Sequence, residues 1–488
     1  MSASAEGDTA AGHRAGAHTP EADPQAGAQT PEADDRYGRG AAILSVGIGV
    51  TGLVTYAYFS LASYALSPAE YGGITLLWSA VFITVAVLYR PVEQLLSRTI
   101  ADRSARGLAG TRPMRVAASI QFGLGVLFAV VALLLREPLQ SDLLGGSATL
   151  YWILLVSVLA YAASYFARGF LAGHGRFGLY GGLVLAESVS RCLFALAVVI
   201  GVASGQATVA LGIAAAPIVS LAVLPWAFGR LRRRGGHPGA GEGAAEASPS
   251  ATAAIESAEA AEPRAEGTSP EAEFTLSHGG GFAAAVLVIM LAEQTFMNAG
   301  PLLIKATEGA EGAALAGFTF NVLLVARAPL QLFQAVQTSI LPHLTRLRAG
   351  GEADPFRRSI NLTLAAIAAF AALVALVLLV AGPALMGIFF GGDFDYTRGG
   401  LVLVAVGMGL YLAAATLNQA ALARAQARAA AICWSAAAAV FVAFLLGVRF
   451  EDRVLQVEIA FVGGAALLCL LLAGLYRRGE RPSALSAD

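Results

Sequence analysis

Charge is what this chain has least of. Asp, Glu, Lys and Arg make up 13% of its 488 residues, against 57% hydrophobic ones, and the mean hydropathy is +0.66. No soluble globular chain of this length needs so much apolar surface. Lysine is nearly missing: Lys305 is the only one, so cationic chemistry falls to arginine. Cysteine is scarce too. Cys192, Cys433 and Cys469 lie in separate apolar runs without C-x-x-C spacing, which excludes a disulfide framework and a cysteine metal site. No Walker A sequence, metal-ligand cluster or nucleophile–base arrangement occurs. The chain is therefore expected to be no enzyme, to use no cofactor or metal, and to have no nucleic-acid partner. Alternating ten-residue segments are absent as well, which excludes a transmembrane β-barrel.

What the chain has in quantity is continuous apolar runs of about 20 residues, the length a helix needs to cross roughly 30 Å of hydrocarbon. The expected fold is an all-α polytopic membrane protein with twelve spans. They fall at 41–66, 74–93, 116–135, 149–172, 180–203, 208–229, 281–304, 314–341, 358–383, 399–422, 429–448 and 456–476. Arginines orient them. Arg98, Arg103, Arg112 and Arg115 follow span two, Arg230 and Arg232 to Arg234 follow span six, and Arg346 and Arg348 follow span eight. The opposite loops hold only Arg136, Lys305, Arg398, Arg449 and Arg453. The positive-inside rule then puts both termini in the cytoplasm of a multi-pass protein of the cell membrane.

Residues 1–38, rich in Ala, Gly, Pro, Glu and Thr, cannot bury a core and are expected to be a disordered cytoplasmic tail. The tail lacks the pattern of a cleaved signal, so span one is expected to act as an uncleaved anchor. Residues 231–280 open on a basic cluster and continue as low-complexity sequence, a flexible cytoplasmic linker. It separates two six-helix lobes of nearly equal length, 39–230 and 281–477, with 478–488 as a second cytoplasmic tail. Equal halves suggest a duplication whose two-fold axis runs along the membrane normal.

The halves correspond in detail. Span two runs into Leu88-Tyr89-Arg90-Pro91-Val92-Glu93, and span eight into Val325-Ala326-Arg327-Ala328-Pro329. A lone arginine costs roughly 2.5–3.5 kcal/mol or more in hydrocarbon, so such residues face a cavity or a partner. Arg90 and Glu93 share a helical face and either pair with each other or look into a cavity. Gln331, Gln334 and Thr338 continue from Arg327 as one polar stripe, which either lines a cavity or bonds a neighbouring helix. Pro91 and Pro329 remove a backbone donor and bend their helices. The candidate cavity set is Arg327, Arg90, Gln331, Gln334 and Glu93. Glu187 and Arg191, four apart, are expected to pair within their helix. Glu293 and Asn298 on span seven form a candidate site for a coupling proton or sodium ion.

Several stretches resemble the polysaccharide-export (Wzx-like) branch of the multidrug/oligosaccharidyl-lipid/polysaccharide flippase superfamily. Leu66-Ser67-Pro68-Ala69-Glu70-Tyr71-Gly72-Gly73 is similar to its turn between helices one and two. Arg168 to Gly178 (RGFLAGHGRFG) resembles its turn between helices four and five. Leu341-Pro342-His343-Leu344 and Phe389 to Tyr396 (FFGGDFDY) are similar too. The resemblance implies two lobes arranged as a MATE-like V around a cavity that opens alternately to each side. Its implied cargo is a polyprenyl-pyrophosphate-linked oligosaccharide, moved to the outer leaflet for polysaccharide or lipopolysaccharide biosynthesis beside a polymerase or glycosyltransferases. A pyrophosphate suits arginine, whose planar, permanently charged fork binds phosphate bidentately. A cation-coupled multidrug or secondary-metabolite exporter of the same superfamily is the alternative. Against it, span one carries no acid, and span ten has Asn418 and Gln419.

Overall fold

The computed structural model describes residues 31–223 and 276–478, apart from 106, 107, 109, 310, 326–352, 392–395 and 425. Its helices are α1 (Pro31–Ala65), α2 (Pro68–Leu88), α3 (Arg90–Ala105), α4 (Arg112–Leu134), α5 (Ala148–Gly173), α6 (Phe177–Val199) and α7 (Gly205–Ser220). After residues 224–275 come α8 (Leu276–Glu308), α9 (Gly312–Val325), α10 (Ala353–Phe390), α11 (Arg398–Ala423), α12 (Ala427–Gly447) and α13 (Arg453–Arg478). Each expected span finds a helix, span two being shared by α2 and α3. Nine helices among the described residues are long and apolar enough to cross a membrane, and α7 and α9 are shorter apolar ones. Two boundaries differ from expectation. Residues 31–38 of the expected tail and 276–280 of the expected linker are helical, continuing the helices they precede.

Local chemistry explains the first break. Ser67 caps α2: its hydroxyl accepts from the Glu70 N–H, and the Glu70 carboxylate accepts from the Ser67 N–H at 3.1 Å. Pro68 takes the first helical position, where no N–H is needed. At the other end Pro91 has no N–H to return to Val87, so α2 stops at Leu88 and the ladder resumes with Glu93 N–H donating to Tyr89 O at 2.9 Å. The helix is thus interrupted at Tyr89, two residues before Pro91. Pro329 lies outside the described residues.

The packing repeats. In the first half α1 lies against α6, α6 against α7, α5 against α7 and α4 against α5; in the second α8 lies against α12, α12 against α13, α11 against α13 and α10 against α11. The outward faces are apolar, as with Phe122, 75% exposed on α4, and Leu362 and Val380 on α10. The interior is where charge is found: Glu93, Glu187 and Arg191 are buried. Apolar surface outside and charge inside is stable only with hydrocarbon as the solvent.

Two glycines of the RGFLAGHG stretch seat α5 on α3. A β-carbon on Gly169 would lie 2.7 Å from the Glu93 carbonyl oxygen, and one on Gly173 would lie 2.8 Å from that of Ser97. Four residues apart, they share one face and let the two backbones touch. This contact places Arg168 beside the α2–α3 break.

Candidate functional site

A cavity of about 240 Å³ lies at that break. It is lined by Phe82, Ala86, Arg90, Glu93 and Gln94 from α2 and α3, Tyr165 and Arg168 from α5, Tyr180 from α6, and Gln294 from α8.

The charges around it are almost all answered within the first lobe. Glu93 accepts a hydrogen bond from Tyr180 Oη at 2.9 Å. Glu187, 2% exposed, accepts from Arg168 Nη2 and from the hydroxyls of Ser164 and Ser220. Arg191 donates to Tyr161 Oη at 2.7 Å and Ser188 Oγ at 2.8 Å, with its guanidinium 5.0 Å from the Trp78 ring centroid. Among the described residues Arg168 is the one of the three arginines in an ion pair with a glutamate, and Arg191 is held by hydroxyls. Among the described residues Arg90 makes no hydrogen bond or ion pair. Its strongest electrostatic neighbour is Glu293, half-buried on α8 in the other lobe.

One pairing expected from spacing is corrected, and one left open is resolved in part. Glu187 and Arg191 do not pair, because the Arg168 fork reaches Glu187 from α5 while Arg191 is held by hydroxyls and aromatic faces. Glu93 accepts its hydrogen bond from Tyr180 and lines the cavity together with Arg90. Helical spacing predicted neighbours along one helix, but in a packed bundle the bonding partners came from other helices.

Of the candidate cavity residues, Arg90 and Glu93 meet here. Arg327, Gln331 and Gln334 lie outside the described residues. Asn298 is buried on α8 and donates to the carbonyl and side-chain oxygens of Gln294, both at 3.2 Å, so Gln294 is the α8 residue that reaches the cavity. Asn418 accepts from Trp434 Nε1 at 3.1 Å within the second lobe. Lys305, the single lysine, caps the end of α8 through the Gly309 carbonyl. Sequence reasoning missed Arg168 as a site residue. An arginine inside an apolar run was the same signal that picked out Arg90. Tyr165 and Tyr180 carried no signal of their own.

Removing Glu187 would leave Arg168 as an uncompensated charge in the lobe interior, which costs about 3–5 kcal/mol. Glu187→Ala is expected to lower the thermal unfolding midpoint of the purified protein markedly. Removing both partners, Arg168→Ala with Glu187→Ala, should recover most of the loss.

The two lobes touch at the far end of the same helix pair. Tyr71 Oη donates to Asn321 Oδ1 on α9, and Asn321 Nδ2 donates to Tyr396 Oη at 3.1 Å. Tyr64 Oη and Ser60 Oγ donate to the carbonyls of Ile388 and Phe389 on α10. The Phe59 and Phe320 rings lie 4.7 Å apart. A β-carbon on Gly72 would fall 1.8 Å from the Ala313 carbonyl oxygen, and one on Gly317 would fall 3.0 Å from Gly72 Cα. Tyr71 and Gly72 from one stretch singled out in the sequence thus meet a seal that Phe389 and Tyr396 from another also join. From Tyr71 to Arg90 runs about 28 Å of helix at roughly 1.5 Å per residue. The seal and the charged cavity stand at opposite ends.

These features define a two-lobed, all-helical membrane fold with a charged cavity at one end of the lobe interface and a seal at the other. Solved structures share it. The chain aligns with a Vibrio cholerae MATE transporter, VcmN, at 17% identity over 92% of this chain and 98% of that one, with a TM-score of 0.57. It aligns with a multidrug resistance MATE family transporter of the MOP superfamily, in an outward-facing conformation, at 13% identity over 91% and 96%, TM-score 0.60. It aligns with the eukaryotic MATE transporter AtDTX14 at 12% over 91% and 96%, TM-score 0.58. At these identities the likeness is one of fold. No protein-family model and no curated protein matches the chain.

Proposed function

We propose that the protein is a non-enzymatic, alternating-access membrane transporter that flips a polyprenyl-pyrophosphate-linked oligosaccharide from the cytoplasmic to the outer leaflet for cell-surface polysaccharide synthesis. The observation that carries this reading is Arg90, a guanidinium without a hydrogen bond or ion pair among the described residues, on the wall of a cavity between two lobes. Desolvating an arginine and leaving it unanswered is costly, and an anionic ligand would answer it. With both termini cytoplasmic, the seal at Tyr71, Asn321 and Tyr396 faces outward and the Arg90 cavity lies toward the cytoplasm, where a lipid-linked precursor is assembled. The apolar tail stays in the bilayer while the head passes between the lobes. Outward movement of each uncompensated negative charge gains about 2.3 kcal/mol per 100 mV, inside negative. The domain bounds 39–230 and 281–477, the cytoplasmic linker and a functional partnership with a polymerase or glycosyltransferases belong to this proposal, as do Arg327, Gln331 and Gln334.

In cells lacking the protein, lipid-linked oligosaccharide is expected to accumulate on the cytoplasmic leaflet and to clear when the protein is restored. Unchanged lipid-linked pools with altered drug sensitivity would overturn the proposal. That result would favour a cation-coupled exporter, for which Glu293, a half-buried carboxylate on α8 next to cavity-lining Gln294, is the supporting observation.

A further inference from the structure

We infer that one hydrogen bond, from Tyr71 Oη on α2 to Asn321 Oδ1 on α9, is the latch that holds the two lobes together at the seal, and that Tyr396 positions it. The inference rests on the alternating-access part of the reading above and is independent of the cargo.

The seal has a rim and an interior, and burial separates them. At the rim, hydroxyls of α1 cap the last turn of α10 across the lobe boundary. Tyr64 Oη donates to the carbonyls of Gly387 and Ile388, and Ser60 Oγ donates to that of Phe389. The helix ends at Phe390, so these carbonyls lack intrahelical partners. Tyr64 is 56% exposed and Ser60 is half-buried, so water can replace each rim bond with little net change when the lobes part. In the interior Tyr71 is 1% exposed and Asn321 is fully buried. Water does not reach a pair so enclosed, and removing one partner strands the other. The rim therefore yields easily and the interior bond does not.

Other interior contacts across the lobes set no threshold. The Phe59 and Phe320 rings meet at 4.7 Å, and α2 and α9 touch at Gly72 and Gly317. Apolar contacts are non-directional and weaken gradually as helices slide. A hydrogen bond needs roughly 3 Å between heavy atoms and a near-linear approach, so a shift of about an ångström breaks it. That sharpness divides closed from open.

Tyr396 keeps the latch aimed. An asparagine amide carries an acceptor and a donor of nearly equal shape, and turning it over would present Nδ2 to Tyr71 in place of Oδ1. The Tyr396 hydroxyl accepts from Asn321 Nδ2 at 3.1 Å, which leaves Oδ1 toward Tyr71. The Tyr396 ring is itself set against Phe318, with centroids 4.7 Å apart.

The test reads how often the seal opens in the purified full-length protein. Thr75 is fully buried and lies one turn from Tyr71 and Gly72 on the same face of α2. With Cys192, Cys433 and Cys469 replaced, the rate at which Thr75→Cys reacts with a soluble thiol reagent follows the open fraction. Tyr71→Phe, which removes a single oxygen, should raise that rate about 5- to 150-fold, the conversion of one unmade buried hydrogen bond. Asn321→Leu should raise it by a similar factor. The double variant strands no polar group between the two positions, so it should label more slowly than either single one. Tyr396→Phe should fall between wild type and Tyr71→Phe. Tyr64→Phe at the rim should stay within about twofold of wild type. A thermal unfolding midpoint for each variant checks that it is folded, and a Tyr71→Phe protein that does not fold leaves Asn321→Leu to decide. The latch is overturned if these two label at the wild-type rate, or if Tyr64→Phe labels as fast as Tyr71→Phe. It is overturned too if the double variant shows the product of the single effects, as independent sites would. Tyr396→Phe labelling at the wild-type rate would overturn its positioning role. The expected pattern in a protein whose loss leaves lipid-linked pools unchanged would remove the proposed cargo and keep the latch.

Discussion

On the proposed function, Arg90→Ala is expected to reduce flipping of lipid-linked sugar by about 10- to 150-fold while the protein still folds and inserts. The estimate takes one hydrogen-bonded charge contact to phosphate at about 1.5–3 kcal/mol, each 1.4 kcal/mol being a factor of ten. Folding should survive because Arg90 holds nothing else in place: among the described residues it makes no hydrogen bond or ion pair, and the α2–α3 break is set by Pro91. Arg90→Lys should restore part of the activity only. An ammonium keeps the charge but lacks the planar fork. The measurement is transport in vesicles reconstituted with each variant, normalised to inserted protein. Normal flipping by Arg90→Ala would remove the anion-cavity mechanism, whatever the cargo.

The second large effect belongs to the seal. Gly72→Val is expected to part the lobes at the Tyr71 end, because no relaxation of a side chain can clear a β-carbon placed 1.8 Å from a backbone oxygen. Either α2 or α9 must shift as a body, and the Tyr71–Asn321–Tyr396 bonds break with it. Thr75, fully buried one turn along α2, reports the outcome. In a background with Cys192, Cys433 and Cys469 replaced, Thr75→Cys should react slowly with a membrane-impermeant thiol reagent. Adding Gly72→Val should raise that rate by an order of magnitude or more. Gly182→Val on α6 is the control, since a β-carbon there meets nothing within 4 Å. An unchanged labelling rate in a folded Gly72→Val protein would mean that the seal does not hold the lobes at this end.

The comparison of these two sites explains why one was readable in the sequence and the other was not. Arg90 stood out because a charge in an apolar run is costly and must have a reason. That reasoning needs composition alone. Tyr71 and Gly72 belonged to a stretch that was recognisable without its purpose being visible. Tyr71 bonds a residue 250 positions away, and no local rule reaches that far. Spacing rules failed for the same reason at Glu187, whose i+4 neighbour Arg191 lost to Arg168 on a different helix. The helix interior exposes each side chain to several neighbouring helices, and only their packing decides which donor arrives.

The amino-acid sequence by itself determined that this is an all-helical, multi-pass membrane protein, and nine helices of spanning length stand among the described residues. The hydrophobic effect acts on composition and run length, and both are local properties. It also determined the start of α2 and the break at Pro91, since capping and the missing proline donor are matters of adjacent residues. The tertiary structure alone decided which charges are answered and which are left over. It brought Arg168 to the cavity on a glycine-seated helix contact, gave Glu93 a hydrogen bond from Tyr180, and put Arg90 on the same cavity wall. Electrostatic partners in a low-dielectric interior are set by distance in space, which the order of residues along the chain does not contain.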